Sequence, residues 1–295
     1  MLTIILGILV GLGLGLTGGG GSLFALPLLI YVLAVEPLMA ITVSLAAVTA
    51  MASMGAIEAL LNKMVEWRVA VILAVGGMVT APFGVALSRQ VDEVLILTSF
   101  AILMLLIAAS MWYRVIKQPD DAAVLRVNFD KTQDESGAIC RLDNNQRIRL
   151  TAPCSIVLLV CGGVTGILSG FFGVGGGFLI VPALTFVTQL NIHRAVASSL
   201  LIIALIGLSG VASALLQGRQ IELVVTGLFV IGGLIGLFAG RLMSRRAPAI
   251  LLQKIFATSM VIIALATLFL NYWGGETGRL NFLNKAGDTT SSRMA

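Results

Sequence analysis

Polar positions cut this chain into long apolar runs, and those runs predict helices rather than strands. The first covers residues 2–16, stops at four consecutive glycines (18–21), resumes over residues 22–34 and closes at Glu36-Pro37. Neither half reaches the roughly 20 residues that a helical membrane span requires, and the whole is too long for an untilted one. Apolar runs follow at residues 38–61, 69–87 and 94–113, separated by polar groups around Asn62, Lys63, Glu66 and Arg68 and around Arg89, Asp92 and Glu93. Residues 114–151 are polar and of mixed charge, with an alternation that would allow a small hairpin turning at Asn144-Asn145. Apolar sequence returns at 155–169, is interrupted at 170–177, continues to about residue 190, and is followed by runs at 195–216, 223–243 and 250–270 before a polar tail. Runs this long, without alternation, predict an all-α polytopic membrane protein; barrel strands would be alternating segments of about 10 residues.

The runs repeat. An offset of 155 carries Gly15, Gly18, Gly20, Gly21, Pro27, Ser44 and Gly55 onto Gly170, Gly173, Gly175, Gly176, Pro182, Ser199 and Gly210. One inserted residue later, an offset of 156 carries Gly76-Gly77, Gly84, Ser88-Arg89 and Phe100-Ala101 onto Gly232-Gly233, Gly240, Ser244-Arg245 and Phe256-Ala257. The expected organisation is therefore two homologous repeats of four hydrophobic segments, 1–114 and 153–273, with a linker at 115–152 and a C-terminal tail at 274–295. If the first segment of each repeat enters to its glycine break and returns, three crossings remain per repeat and the copies are inverted. In that arrangement the short loops place Lys63, Arg68, Arg194, Arg241, Arg245 and Arg246 on the linker side and only Arg89 and Arg219 opposite. Four full crossings per repeat would reverse the bias, so the positive-inside rule favours inverted repeats with the linker cytoplasmic and both termini outside.

Composition agrees with a membrane protein: 58% of residues are hydrophobic, 11% are charged and mean hydropathy is +1.03. The N-terminal run has no charged leader and no A-x-A-like site, so it is expected to stay in the fold. The net charge of +5 suits loops facing anionic lipid and is compatible with anionic solutes. One histidine, His193, and three scattered cysteines, Cys140, Cys154 and Cys161, supply no metal-binding or disulfide framework by spacing. No cofactor and no metal is expected. Nor is catalysis, because no His, Asp and Ser set falls at membrane depth. The closely spaced Gly11, Gly13 and Gly15 lack the βαβ context of a nucleotide loop, and nucleic acid is not an expected partner.

The candidate chemistry sits at the two breaks, GLTGGGGSLFALP (15–27) and GFFGVGGGFLIVP (170–182). A helix restarting after each break, at Ser22 and near Gly177, has four N–H groups without intrahelical partners, and its dipole places positive charge there. That combination binds anions without a basic side chain. Candidate binding residues are Gly18, Gly19, Gly20, Gly21 and Ser22 in the first copy and Gly173, Gly175, Gly176 and Gly177 in the second. Ser44 and Ser199 occupy matching positions on the following segments. Pro27 and Pro182 free further backbone carbonyls. Thr42, Thr49 and Ser53, and likewise Ser198, Ser209 and Ser213, share helical faces and could line a path or simply bond the backbone. The glycines could instead serve only close helix packing. Glu58 is expected to pair with Asn62 or to reach the interface, and Arg241 to anchor its segment end.

With these motifs, GGGGSLFALP and GVGGGFLIVP each followed by three apolar segments, the chain resembles the sulfite exporter TauE/SafE family, also called the toluene-sulfonate uptake permease family. The resemblance covers nearly all of both halves and implies a secondary transporter of sulfite, sulfonates or related small anions in a bacterial-type inner membrane. Its expected partners are that small anionic substrate, a proton or sodium ion for coupling, the lipid bilayer and a second copy in a homodimer. Where the second copy has Gly173-Val174 and Gly177, the first has Gly18-Gly19 and Ser22. Two other classes stay open on sequence: a membrane scaffold or signalling protein acting through the linker, and an anion channel. A reporter active only in the cytoplasm, fused after Ala295, is expected to stay silent; clear activity would refute the inverted arrangement.

Overall fold

An apolar segment placed in hydrocarbon must satisfy its own backbone, and the chain does so with helices alone: among the described residues there is no strand. The computed structural model describes residues 1–117, 152–188, 192–219, 222–244, 258 and 260–269. The expected hairpin at Asn144-Asn145, nearly all of the linker, the polar tail, Lys254, Arg245 and Arg246 lie outside them. The helices are α1 (Leu2–Thr17), α2 (Ser22–Tyr31), α3 (Pro37–Leu61), α4 (Trp67–Leu87), α5 (Glu93–Lys117), α6 (Ala152–Phe172), α7 (Gly177–Thr188), α8 (Ile192–Leu216), α9 (Leu223–Ser244) and α10 (Met260–Phe269). Five have stretches long and apolar enough to cross a membrane: all of α3 and α4, and Cys154–Phe172, Arg194–Leu216 and Leu223–Met243. α1 and α2, at 16 and 10 residues, are not among them.

Local chemistry sets the ends. α1 stops at Gly18, whose φ of 75° is left-handed and whose N–H caps Leu14 O. α3 opens on Pro37, tolerated at the first helical position because its missing N–H would have had no partner there. α8 closes in a Schellman turn: Gly218 takes φ 75° and the Arg219 N–H bonds Ala214 O. Of the cysteines, Cys161 is free.

Two helix pairs make the closest approaches. α1 lies against α9, so that a Cβ added to Gly7, Gly11 or Gly15 would fall 2.3, 1.9 or 2.3 Å from the carbonyl oxygens of Phe229, Gly233 and Leu237. α4 lies against α6 in the same way, with Gly76 facing Leu159 O and Gly84 facing Ile167 O at 2.4 and 2.2 Å. The partner faces are glycines too: Gly232, Gly236 and Gly240 on α9, and Gly162, Gly166 and Gly170 on α6. Spaced four apart, these residues form smooth stripes that let backbones touch and gain dispersion over a long contact, the main source of helix association where lipid removes the hydrophobic drive. At one stripe position α4 carries Thr80 in place of glycine, and its hydroxyl donates to Gly163 O across the contact at 2.7 Å.

The contacts also fix helix directions. In α1 with α9 and α4 with α6 the residue numbers rise together, so both pairs are parallel. α3 and α8, the central pair, run antiparallel: Leu45 meets Gly210, Thr49 meets Gly207 and Gly55 meets Leu200. α4 runs parallel to α8, as Ile206 against Gly77 and Arg219 against Val85 require. α3 runs parallel to α9, with Met51 against Gly233 and Arg241 against Gly55. Burial follows this plan: 72% of the most apolar window of α3 is buried, against 33% for α9.

Gly11→Leu is expected to lower the melting temperature of the detergent-solubilised protein, overpacking costing about 1–3 kcal/mol or more. Gly227→Leu, where an added Cβ meets nothing within 4 Å, should leave it near wild type.

Candidate functional site

The chain turns back on itself at both breaks. After Gly18 it returns so that Gly21 rests on the α1 backbone at Val10 O and Leu14 N, while Gly176 rests on α6 at Thr165 and Ser169. Gly173, Gly175 and Gly176 all have left-handed φ, of 68°, 71° and 65°. A side chain there would be strained before it touched anything. The two breaks then meet: a Cβ on Gly19 would lie 2.3 Å from the Gly177 carbonyl carbon, and one on Gly177 would lie 2.7 Å from the Gly19 Cα. Both long central helices flank this junction. α8 sets Val196 against Gly18 and Ile203 against Gly175 and Gly177, while α3 sets Ile41 against Gly173 and Val48 against Gly175.

At the first break the free donors are not those expected from a helix start. Ser22, Leu23 and Phe24 give their N–H groups to the carbonyls of Gly19, Gly20 and Gly21, a tight turn that extends α2 backward. Leu179 and Ile180 both donate to Gly176 O. Upstream, the Gly20 N–H bonds Thr17 Oγ1 at 2.8 Å, and that hydroxyl donates to Gly13 O. Among the described residues no hydrogen bond engages the N–H groups of Gly19, Gly21, Val174, Gly175 or Gly176. The N–H of Gly177, the first residue of α7, is likewise unengaged, so the donors lie within the breaks and, at the second break, also at the start of the helix beyond it. Ser22 does not cap α2: its hydroxyl donates to Gly19 O at 2.6 Å.

Ser44 and Ser199, matched in sequence, part company here. Ser199 Oγ donates to Gly18 O at 2.8 Å and to Val196 O, tying α8 to the first break. Ser44 is fully buried and its Oγ has no partner among the described residues, although Ile41 and Val48, on the same face of α3, touch the second break. A second buried, unpartnered hydroxyl is Ser169 Oγ, on α6 beside Gly176. Sequence reading passed over Ser169 because its counterpart in the other repeat is Leu14, so no pairing drew attention to it. An unmet buried hydroxyl costs about 1–3 kcal/mol, so two beside unmet N–H groups form a concentrated donor site. Pro27 is buried inside α2, and Pro182 falls at the matching place in α7.

The remaining hydroxyls serve the backbone or bridge helices. Thr42, Thr49 and Ser53 donate one turn back, to Leu38 O, Leu45 O and Thr49 O. Ser209 donates to Met78 O across to α4, Ser198 accepts the Glu66 N–H, and Ser213 accepts from Gln217. The charged groups sit at helix ends, away from the junction. Glu58 pairs with Arg241 rather than with Asn62, because the parallel course of α3 and α9 brings their ends together. Arg241 also donates to Gly55 O, and Arg194 pairs with Glu66 at 2.7 Å. Among the described residues no cluster of His, Cys, Asp or Glu could hold a metal ion. What the junction can do is accept a small group rich in lone pairs, held by neutral N–H and O–H dipoles.

A sequence model of the family described as "Sulfite exporter TauE/SafE" matches residues 3–267. The chain is 33% identical over 277 residues to a probable membrane transporter protein of Xylella fastidiosa (strain 9a5c), covering 92% of this chain and 96% of that one. It is 25% identical over 226 residues to the probable membrane transporter protein YunE of Bacillus subtilis (strain 168), covering 74% and 79%. No solved structure matches.

The two serines give contrasting expectations. Ser199→Ala should destabilise the protein by about 1 kcal/mol through loss of the bond to Gly18 O. Ser44→Ala, which removes an unmet polar atom, should be neutral or slightly stabilising in anion-free buffer. Thermal unfolding of both variants in detergent checks the pair, and equal losses would contradict the assignment.

Proposed function

The chain belongs to the sulfite exporter TauE/SafE family, and from that premise we propose that this membrane transporter carries small sulfur-containing anions, of the sulfite or sulfonate type, by alternating access. The observation that carries the proposal is the junction of the two breaks, where backbone N–H groups and the Ser44 and Ser169 hydroxyls have no partner among the described residues, inside an otherwise apolar bundle. Irregular backbone at membrane depth survives only where protein, water or a ligand meets it. A site made of neutral donors suits a solute that brings its own negative charge, and paired breaks near the midplane are a recurrent form of transporter site. Gly18, Gly19, Gly20, Gly21, Ser22, Gly173, Gly175, Gly176 and Gly177 shape the site, Ser199 fixes the first break, and Pro27 and Pro182 hold the half-helices off a regular path.

Residues 1–114 and 153–273 act in this reading as inverted repeats. The antiparallel α3 and α8 and the parallel pairs α1 with α9 and α4 with α6 support it, because copies of the same orientation would set α3 and α8 parallel. The linker, 115–152, faces the cytoplasm of a bacterial-type inner membrane, and the tail at 274–295 faces the other side. One repeat rocks against the other around the junction, driven by a proton or sodium gradient, and two copies associate as a homodimer. No step in this cycle needs a cofactor.

Sulfite and methanesulfonate are expected to raise the melting temperature of the purified protein more than chloride at equal ionic strength, since a ligand bound to the folded state stabilises it. Gly175→Ala should remove both that rise and flux in proteoliposomes, and Ser44→Ala should reduce both. No response to any sulfur oxyanion in the wild-type protein would reject the substrate class.

A further inference from the structure

The two ends of the bundle treat their arginines differently. At the end carrying the α3–α4 connection, Arg194 is paired with Glu66 and Arg241 with Glu58. At the opposite end, which carries the α4–α5 and α8–α9 connections, Arg89 and Arg219 form no ion pair among the described residues. They are held close by reciprocal anchoring. Arg219 reaches from the end of α8 to α4, giving one Nη to Val85 O at 2.7 Å and to Ser88 Oγ at 2.8 Å. Arg89, just beyond α4, reaches back and donates to Gln217 O at 3.1 Å. The Schellman turn at Gly218 makes this possible, because it folds the chain over the end of α8 and delivers Arg219 against its neighbour.

Like charges repel, and the two guanidiniums bear on one another here: burial, and secondarily the charge of Arg89, push Arg219 below its ordinary range. Carbonyl oxygens at helix ends offset part of this cost but carry no full charge. Each side chain keeps donors in reserve. Among the described residues Arg219 Nε is buried without a partner, its second Nη makes no hydrogen bond, and Arg89, which is exposed, uses one nitrogen only. Of the carboxylates at this end, Glu36, Asp92 and Glu222 are exposed, and they make no ion pair with either arginine among the described residues.

We propose that Arg89 and Arg219 form a second anion-binding site, separate from the buried junction, which takes one oxyanion between the two guanidinium forks. An oxyanion is the fitting class because planar guanidinium donors match two oxygens on one centre and bind them by charge-assisted hydrogen bonds. A sulfonate, sulfite or carboxylate in solution and the phosphate of a lipid headgroup share that chemistry. Concentrating anions at one mouth would raise the rate of entry there, an effect that weakens as salt rises. Only that last role rests on the proposed anion transport; binding itself does not.

The test reads this site directly. Full-length protein in neutral phosphatidylcholine nanodiscs is treated with phenylglyoxal, which modifies accessible guanidiniums, and each arginine is followed by peptide mass spectrometry with sodium sulfate or sodium chloride at equal ionic strength. Sulfate is expected to slow modification of Arg89 several-fold and to leave Arg194 unchanged. Arg219→Gln should abolish the protection, and Ser44→Ala should preserve it, which separates this site from the junction. In nanodiscs containing phosphatidylglycerol, protection without sulfate identifies the lipid headgroup as the occupant, and dependence on sulfate identifies a dissolved anion. Equal modification of Arg89 under all these conditions, or full protection in Arg219→Gln, overturns the proposal.

Discussion

A backbone that leaves its helix inside an apolar bundle has unpaired N–H and C=O groups, each costing several kcal/mol if nothing meets it, and the rest of this structure can be read as the answer to that cost. At the first break, Thr17, Ser22 and Ser199 take up much of the loose backbone, bonding Gly13, Gly20, Gly19 and Gly18. At the second break fewer side chains do so, and the unmet hydroxyls of Ser44 and Ser169 stand there. Two similar sequences thus give one well-supported turn and one with donors to spare.

Bringing the breaks together depends on helices that can approach to backbone contact. The glycine stripes of α1 with α9 and of α4 with α6 provide that, each pairing a helix of one half with a helix of the other. Such packing is intolerant of added volume but needs no strong polar bond, so the two halves adhere over a wide area while ion pairs remain at the rims. Arg241 with Glu58 and Arg194 with Glu66 join the halves at one end, and Arg89 and Arg219 join them through carbonyls at the other.

Much of the fold was legible in the sequence because apolar run length and interrupted runs are local properties. The short half-segments appear as α1 and α2, with the restart at Ser22, and α7 restarts at Gly177. Less legible was the site. The hydroxyl of Ser44 could not be told from that of Ser199 without knowing that only one has a carbonyl in reach, and Ser169 lacks a counterpart that would mark it. The stripes Gly7, Gly11, Gly15 and Gly232, Gly236, Gly240 were visible as four-residue spacings, but which helix each would face was not. Glu58 likewise has a nearby Asn62 in sequence and a distant Arg241 in space.

By itself the sequence determined a helical membrane protein broken twice at glycine, since hydropathy and glycine's effect on a helix act over a few residues and need no knowledge of neighbours. Tertiary structure decided which donors stay free, which serines are spent on the backbone and which arginines are neutralised. Those are questions of what lies within about 3 Å of an atom, the reach of a hydrogen bond, and partners more than a hundred residues away in the chain supply most of the answers.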